Sequence, residues 1–218
     1  MHAPRRSQQA LLTGLWWTAL VLAGAAFLLR DLPGYASYTP TAYGEYWVKR
    51  ASLIPHILAA APAFLVGFLQ FSGRLRARRP RLHRMMGLIY VAGTLVGAPA
   101  AILLGVQSTC VLCRPPLVLL GVFWFATTAM AFLAARGRDF ATHRAFMIRS
   151  FALMNVFSLI RLADDIAIPG LSPDQQQVLW EWSCMAIIVV GTEVGLTWWP
   201  ALRRLRQPGR DTPRSATA

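Results

Sequence analysis

Acidic side chains are scarce in this chain. Nine Asp and Glu stand against 22 Lys and Arg in 218 residues, and all charged residues together make up only 14% of it. A chain this poor in charge and 56% hydrophobic has too little polar surface for an ordinary water-soluble domain, in which roughly a quarter of residues are charged. Cysteine is nearly missing, with three residues, which excludes a fold stapled by several disulfides and a thiolate zinc cage. There is no Gly-rich phosphate loop of the Walker or dinucleotide type, and no H-E-x-x-H or G-x-S-x-G motif. Nucleotide-dependent, zincin and hydrolase-elbow chemistry therefore have no foothold, and no metal site is expected.

What the chain has instead is long apolar runs. Crossing hydrocarbon takes about 20 residues at about 1.5 Å each, and six stretches come close to that length: Ala10 to Leu29, Leu53 to Phe71, Met85 to Leu104, Pro116 to Ala135, Ala145 to Leu162 and Val178 to Trp199. Each is followed by charged, Pro-rich or Gly-rich punctuation, such as Asp31-Leu32-Pro33-Gly34 and Arg136-Gly137-Arg138-Asp139. The expectation is an all-α polytopic membrane protein, residues 1–218 forming one bundle of six transmembrane helices with short loops. The first run, after Arg5 and Arg6, is longer than a signal peptide's apolar region and has a poor cleavage site, so it is expected to stay as a helix.

A net charge of +13 on a soluble surface would point to nucleic acid. Its distribution points elsewhere. Seventeen of the 22 basic residues lie in or beside the N-terminus, the 74–84 turn, the 136–149 turn and the tail of 200–218, which share one side if six helices alternate. That is the positive-inside pattern, with both termini cytoplasmic and the chain in the cytoplasmic membrane. The tail LRRLRQPGR is a candidate contact for anionic lipid head groups. Most acids, Asp31, Glu45, Asp164, Asp165, Asp174 and Glu181, fall on the other side. So do four of the five tyrosines, in YASYTPTAYGEYW, whose rings suit a membrane interface, as do the tryptophan pairs at 180 and 182 and at 198 and 199.

The informative residues are those whose polarity conflicts with their depth, because a charge within the bilayer is costly unless protein shelters it. Arg149 and Arg161 are 12 residues apart, about 18 Å along a helix, too close to reach opposite interfaces unaided. Snorkelling is one remedy. Pairing is the other: Glu193 in the last run lies at the depth of Arg149, and Asp164 and Asp165 follow Arg161 by three and four residues. Arg149 and Glu193 are expected to meet as a buried charge pair.

Histidine can ligate haem, carry protons or hydrogen-bond. His56 opens the second run at its outer end, with Ala60, Ala63 and Gly67 on the same face; Met185 is the one soft group expected near its depth. His83 and His143 each precede an arginine and open a helix at the cytoplasmic boundary. They share one leaflet, as two axial ligands of one haem must. Gly87, Gly93 and Gly97 then form a smooth surface for either a macrocycle edge or another helix.

These residues carry a resemblance. His56 with Gly67 and Gln70, then Pro80, Leu82, His83, Arg84, Gly87 and Tyr90, then His143, Arg144, Met147, Arg149 and Ser150, and finally Arg161 and Leu162 resemble an uncharacterised, mainly bacterial family of multi-pass membrane proteins, domain of unknown function 2306, over Leu53 to about Leu162. Phe146 stands where the family often has Trp. The resemblance implies an integral membrane bundle with these histidines and arginines as its signature, and it implies no activity, substrate or cofactor. The recurrence of an Arg-rich turn followed by His-Arg also hints at a duplicated hairpin.

Cys110 and Cys113 form C-x-x-C in an outer connection, where a disulfide is permitted. The four residues CVLC resemble the redox centre of the membrane disulfide-bond formation protein B. That enzyme needs a second cysteine pair, and only Cys184 remains, so a local disulfide or two separate thiols is the expectation. Ser150, Ser158 and Asn155 read as interhelical hydrogen-bonders. The leading functional expectation is a redox-type membrane module holding haem b or a quinone, with His83 and His143 as ligands or proton carriers, Arg149 as charge partner or propionate contact and His56 on the outer side. A transporter or small-molecule binder with an Arg/Glu/His polar path is the alternative, and a structural subunit with a membrane partner is the third.

Overall fold

The computed structural model describes residues 4–205; His2 and the basic tail beyond Leu205 lie outside the described residues. Ten helices run in chain order: α1 Pro4–Arg30, α2 Pro40–Tyr43, α3 Arg50–Gln70, α4 Gly73–Arg78, α5 Pro80–Val106, α6 Arg114–Arg136, α7 Phe140–Met154, α8 Val156–Ala163, α9 Pro173–Glu193 and α10 Trp199–Leu205. No strand occurs among the described residues. Six segments are long and apolar enough to cross a membrane, with α7 and α8 together making the fifth. Helices are what hydrocarbon demands, because each satisfies its own backbone groups where no water can.

Local chemistry fixes where they begin. Pro80 and Pro173 open α5 and α9, where a missing N–H costs nothing. Ser172 accepts from the Gln175 backbone N–H while the Gln175 side chain accepts from Ser172 N, a reciprocal capping box. Ser72 caps α4 through Leu75 N at 3.2 Å. Asp139 caps α7 through Thr142 N at 3.0 Å, and hydrogen bonds from Thr142, its side chain first, hold the Asp139 carboxyl below its ordinary range.

A core of α3, α5, α6 and α7 packs in sequence, and α1 and α9 lean on it from outside. Burial follows that order: 56% of the apolar window of the fifth span is buried, against 17% for the first and last. Small residues set the α3–α5 contact. A Cβ on Gly93 would stand 2.4 Å from the Ala59 carbonyl oxygen, and one on Gly97 3.3 Å from the Trp124 ring and 3.5 Å from Ala60 N. A Cβ on Gly67 would strike the Phe151 ring at 2.5 Å. The stripe of Ala60, Ala63 and Gly67 thus packs against α5 and Phe151, and Gly93 and Gly97 serve helix contact, the second of the two uses expected of that surface.

The fifth span departs from the expected unbroken helix. It turns at Asn155, whose N–H bonds back to Ala152 O at 3.0 Å and whose Nδ2 donates to Phe151 O at 2.8 Å. The side chain competes with the helical ladder, as short polar side chains do.

At the end of the bundle opposite the basic turns, α1 is tied to α8 by charge. Arg30 donates to Asp31 at 3.0 Å, to the Arg161 carbonyl at 2.8 Å and to Asp165; Arg161 donates to Asp31 at 3.0 Å and pairs with Asp164 at 3.6 Å. Beside this network Tyr35, Tyr38, Tyr43 and Trp47 pack mostly edge to face, with centroids 5.2–5.7 Å apart. Burial, with the neighbouring Glu45 charge, pushes the Tyr46 phenol up to about 12.

Candidate functional site

At the basic end, polar side chains join α7 to two neighbours, Arg149 to Glu193 on α9 and His143 to Ala131 on α6, whereas Arg161 belongs to the network at the other end. Arg149 on α7 donates from Nε to Glu193 Oε1 at 2.5 Å and from Nη2 to Oε2 at 3.0 Å. The fork is bidentate, the strongest geometry for this pair. Both side chains are about a quarter exposed (24% and 28%), the Arg149 guanidinium also lies 5.3 Å from the Phe146 ring centroid, and Thr197 donates to the same carboxylate. Arg149 thus stands as the charge partner of Glu193, the first of its two expected roles. Immediately after Glu193 the helix widens into a π-helical turn, Val194–Trp198.

His143, near the start of α7, places Nδ1 2.8 Å from the Ala131 carbonyl oxygen on α6. A carbonyl only accepts, so Nδ1 carries a proton and donates it there, which leaves Nε2 as the ring nitrogen turned away from Ala131. His83, in the first turn of α5, has a buried Nδ1 without a hydrogen-bond partner. Both imidazoles lie at the basic end of the bundle, on α5 and α7, the two helices that pack on either side of α6 in sequence. The His83 carbonyl accepts from Gln70 Nε2 at 3.2 Å, which joins the end of α3 to the start of α5. Gly87, one turn on, is the glycine of the α5 surface that α3 leaves open: a Cβ there would meet only Gln70 Oε1, at 3.7 Å.

Deeper in the core, Ser150 bridges two helices. It exchanges hydrogen bonds with Tyr90 OH at 2.7 Å and Thr128 Oγ1 at 2.6 Å, and all three side chains are fully buried. Ser150 was legible as an interhelical group; Thr128 was not, although a hydroxyl in the middle of an apolar run was the available signal.

His56 stands apart. Its Nδ1 donates to Gly97 O at 2.9 Å, and its ring lies edge-on to Trp124, centroids 6.5 Å apart. Met185 packs instead with Leu20, Val156, Ile160 and Cys184, so the expected approach of Met185 to His56 is corrected; α9 lies on α7 and α8, away from α3. Cys110 and Cys113 are joined by a disulfide with Cα atoms 5.3 Å apart, and Cys184 is free and buried. Arg114 turns from the sulfurs to Ser108 O at 2.9 Å. Among the described residues no group of three His, Cys, Asp or Glu side chains is arranged to hold a metal ion; a pair of axial imidazoles is a different requirement.

A family model described as "Predicted membrane protein (DUF2306)" matches residues 53–191. The matched region runs past Leu162 and through most of the last span, so it contains both His83 and His143 but stops just short of Glu193. No curated protein and no solved structure matches the chain.

Proposed function

The chain belongs to the DUF2306 family of predicted membrane proteins, and from the placement of its histidines we propose that it works as a redox-type module of the cytoplasmic membrane, with its basic end inward and a haem b or a quinone head held at that end by His83 and His143. The observation that carries this reading is the pairing of an imidazole locked with Nε2 free, His143, with a second whose buried Nδ1 has no partner, His83. The fit is supported further by Gly87, one turn on from His83, where an added Cβ would meet nothing nearer than the Gln70 side chain at 3.7 Å. Two imidazoles at one end of the bundle can supply both axial ligands of an iron, or donate and accept at a quinone carbonyl. Such a group, when bound, would move electrons within the bilayer. The protein's part is to orient the two rings, His143 through the Ala131 carbonyl and His83 through its place in the first turn of α5. The basic turns and tail on this side are proposed to meet anionic lipid head groups. Purified protein should show a haem Soret band, or bind a quinone analogue, with the signal lost in His83→Ala and in His143→Ala. A colourless preparation that binds no quinone rejects the reading.

One observation favours a second reading. The Arg149–Glu193 pair sits beside a π-helical turn, and such turns recur at functional sites. On this reading the chain binds or passes a small polar solute at the basic end. Solute uptake into vesicles that is abolished by Glu193→Gln, in protein without pigment, would select it.

A further inference from the structure

Glu181 lies at the other end of α9, within the apolar core and outside the neighbourhood just described. Its side chain is 2% exposed. Oε1 accepts one hydrogen bond, from the neutral Gln177 amide at 3.1 Å, while Oε2 is buried with no partner at all. Among the described residues no cation compensates it, because the basic groups on the elements packed around it are engaged elsewhere. On α8, Arg161 is held by Asp31 and Asp164; at the end of α1, Arg30 binds Asp31, Asp165 and the Arg161 carbonyl; at the start of α6, Arg114 binds Ser108 O. The turn Val111–Cys113, which also touches α9, brings a disulfide rather than a charge. The charge that does reach Glu181 is the carboxylate of Asp164, which has the same sign.

A bare carboxylate in such a place would forfeit several kcal/mol of hydration with nothing in return, whereas a neutral carboxyl loses only the cost of a polar group. We propose that Glu181 is a proton-binding site, carried as the neutral acid in the resting protein and exchanging its proton with the outer face by way of Gln177 and Asp164. Asp164 is suited to the entrance. It lies at the end of α8 with its side chain 32% exposed, and burial raises its carboxyl above the ordinary range although Arg161 opposes the rise. The inference is independent of any cofactor at His83 and His143.

The test is dicyclohexylcarbodiimide, an apolar reagent whose nitrogen takes the acid proton as the carboxyl oxygen bonds to its central carbon, so that only the protonated form reacts. Full-length protein in phosphatidylcholine vesicles at neutral pH should carry one adduct, mapped by mass spectrometry to Glu181, lost entirely in Glu181→Gln and slowed as the outer pH is raised. Reaction at Asp164 or Glu193 with none at Glu181 overturns the proposal. Infrared spectroscopy gives a second reading: a protonated-carboxyl C=O band present in neutral buffer and missing from Glu181→Gln is expected, and a wild-type spectrum without that band also overturns it. Glu181→Gln keeps the size and the Gln177 contact, so folding should survive the substitution.

Discussion

The α3–α5 contact and the α7–α9 contact join neighbouring helices of one bundle by opposite means. Between α3 and α5 the backbones come so close that a methyl on Gly93 would collide with the Ala59 carbonyl, and the polar contribution is two neutral bonds to backbone carbonyls, His56 to Gly97 O and Gln70 to His83 O. Between α7 and α9 the link at the basic end is a charged fork, Arg149 to Glu193, with Thr197 behind it. In water both pairs would be driven together by their apolar faces. In lipid the tails are as apolar as the helices, so association needs either close van der Waals contact or polar bonds that the membrane cannot replace. The bundle uses the first for its central pair and the second for its peripheral helix.

Breaking the charged contact should cost most. Arg149→Leu strands Glu193 among apolar helices with one hydroxyl for company, and stability should fall by about 2–3 kcal/mol, read from unfolding in mixed micelles. The Arg149→Leu/Glu193→Leu double variant should recover most of that loss; a double variant as unstable as the single would mean that shape, not charge, makes the contact. Next comes the close-packed pair. Gly93→Val should destabilise by about 1–3 kcal/mol because the obstacle is backbone, whereas Gly87→Val, facing only the flexible end of Gln70, should change melting little. Equal effects at the two glycines would erase the distinction drawn here.

The end of α9 away from the fork depends on its capping box, and Ser172→Ala should cost about 1 kcal/mol. A smaller effect separates a shared network from a single fork. Arg161→Gln leaves the half-buried Asp31 carboxylate still bonded to Arg30, so it should cost under about 1 kcal/mol in the same unfolding measurement, less than Arg149→Leu, which leaves Glu193 with no cation. Smallest is a pH effect at the α7 cap. Hydrogen bonds from Thr142 hold the folded Asp139 carboxyl below its ordinary value of 3.8, so its contribution is present above that value and disappears as pH falls through the lower folded one. Asp139→Asn should flatten the acid limb of the stability profile there and leave neutral pH nearly unchanged.

How much of this was readable beforehand varies residue by residue. Arg149 and Glu193 were matched through depth alone, since two charges at one level in adjacent spans have few other partners. Arg161 shows the limit of that reasoning. Asp164 was within reach of a local rule, three residues along, but Asp31 and Arg30 were not, because their relevance depends on α1 lying against α8. Asn155 offered a signal in its short polar side chain, yet whether such a residue bends a helix or merely bridges two depends on what its neighbours leave for it. Met185 was placed near His56 by depth, and depth says nothing about which side of a bundle a helix occupies. Thr128 was hidden for the same reason: its value lies in Ser150, 22 residues away on the next helix. Of the histidine pair, the common level was legible; the proton on His143 Nδ1 and the bare Nδ1 of His83 were not.

The sequence by itself determined the solvent, the number of crossings and the depth of every charged side chain, because run length, hydropathy and loop charge are properties of the chain alone and hydrocarbon leaves a helix as the economical way across. Only the tertiary structure decided who meets whom around the bundle: that α3 lies on α5 through glycine and alanine, that Arg149 is spent on Glu193, and that Glu181 is left without a cation. Position along the membrane normal is written one residue at a time, whereas the angular position of each helix follows from how all of them pack together.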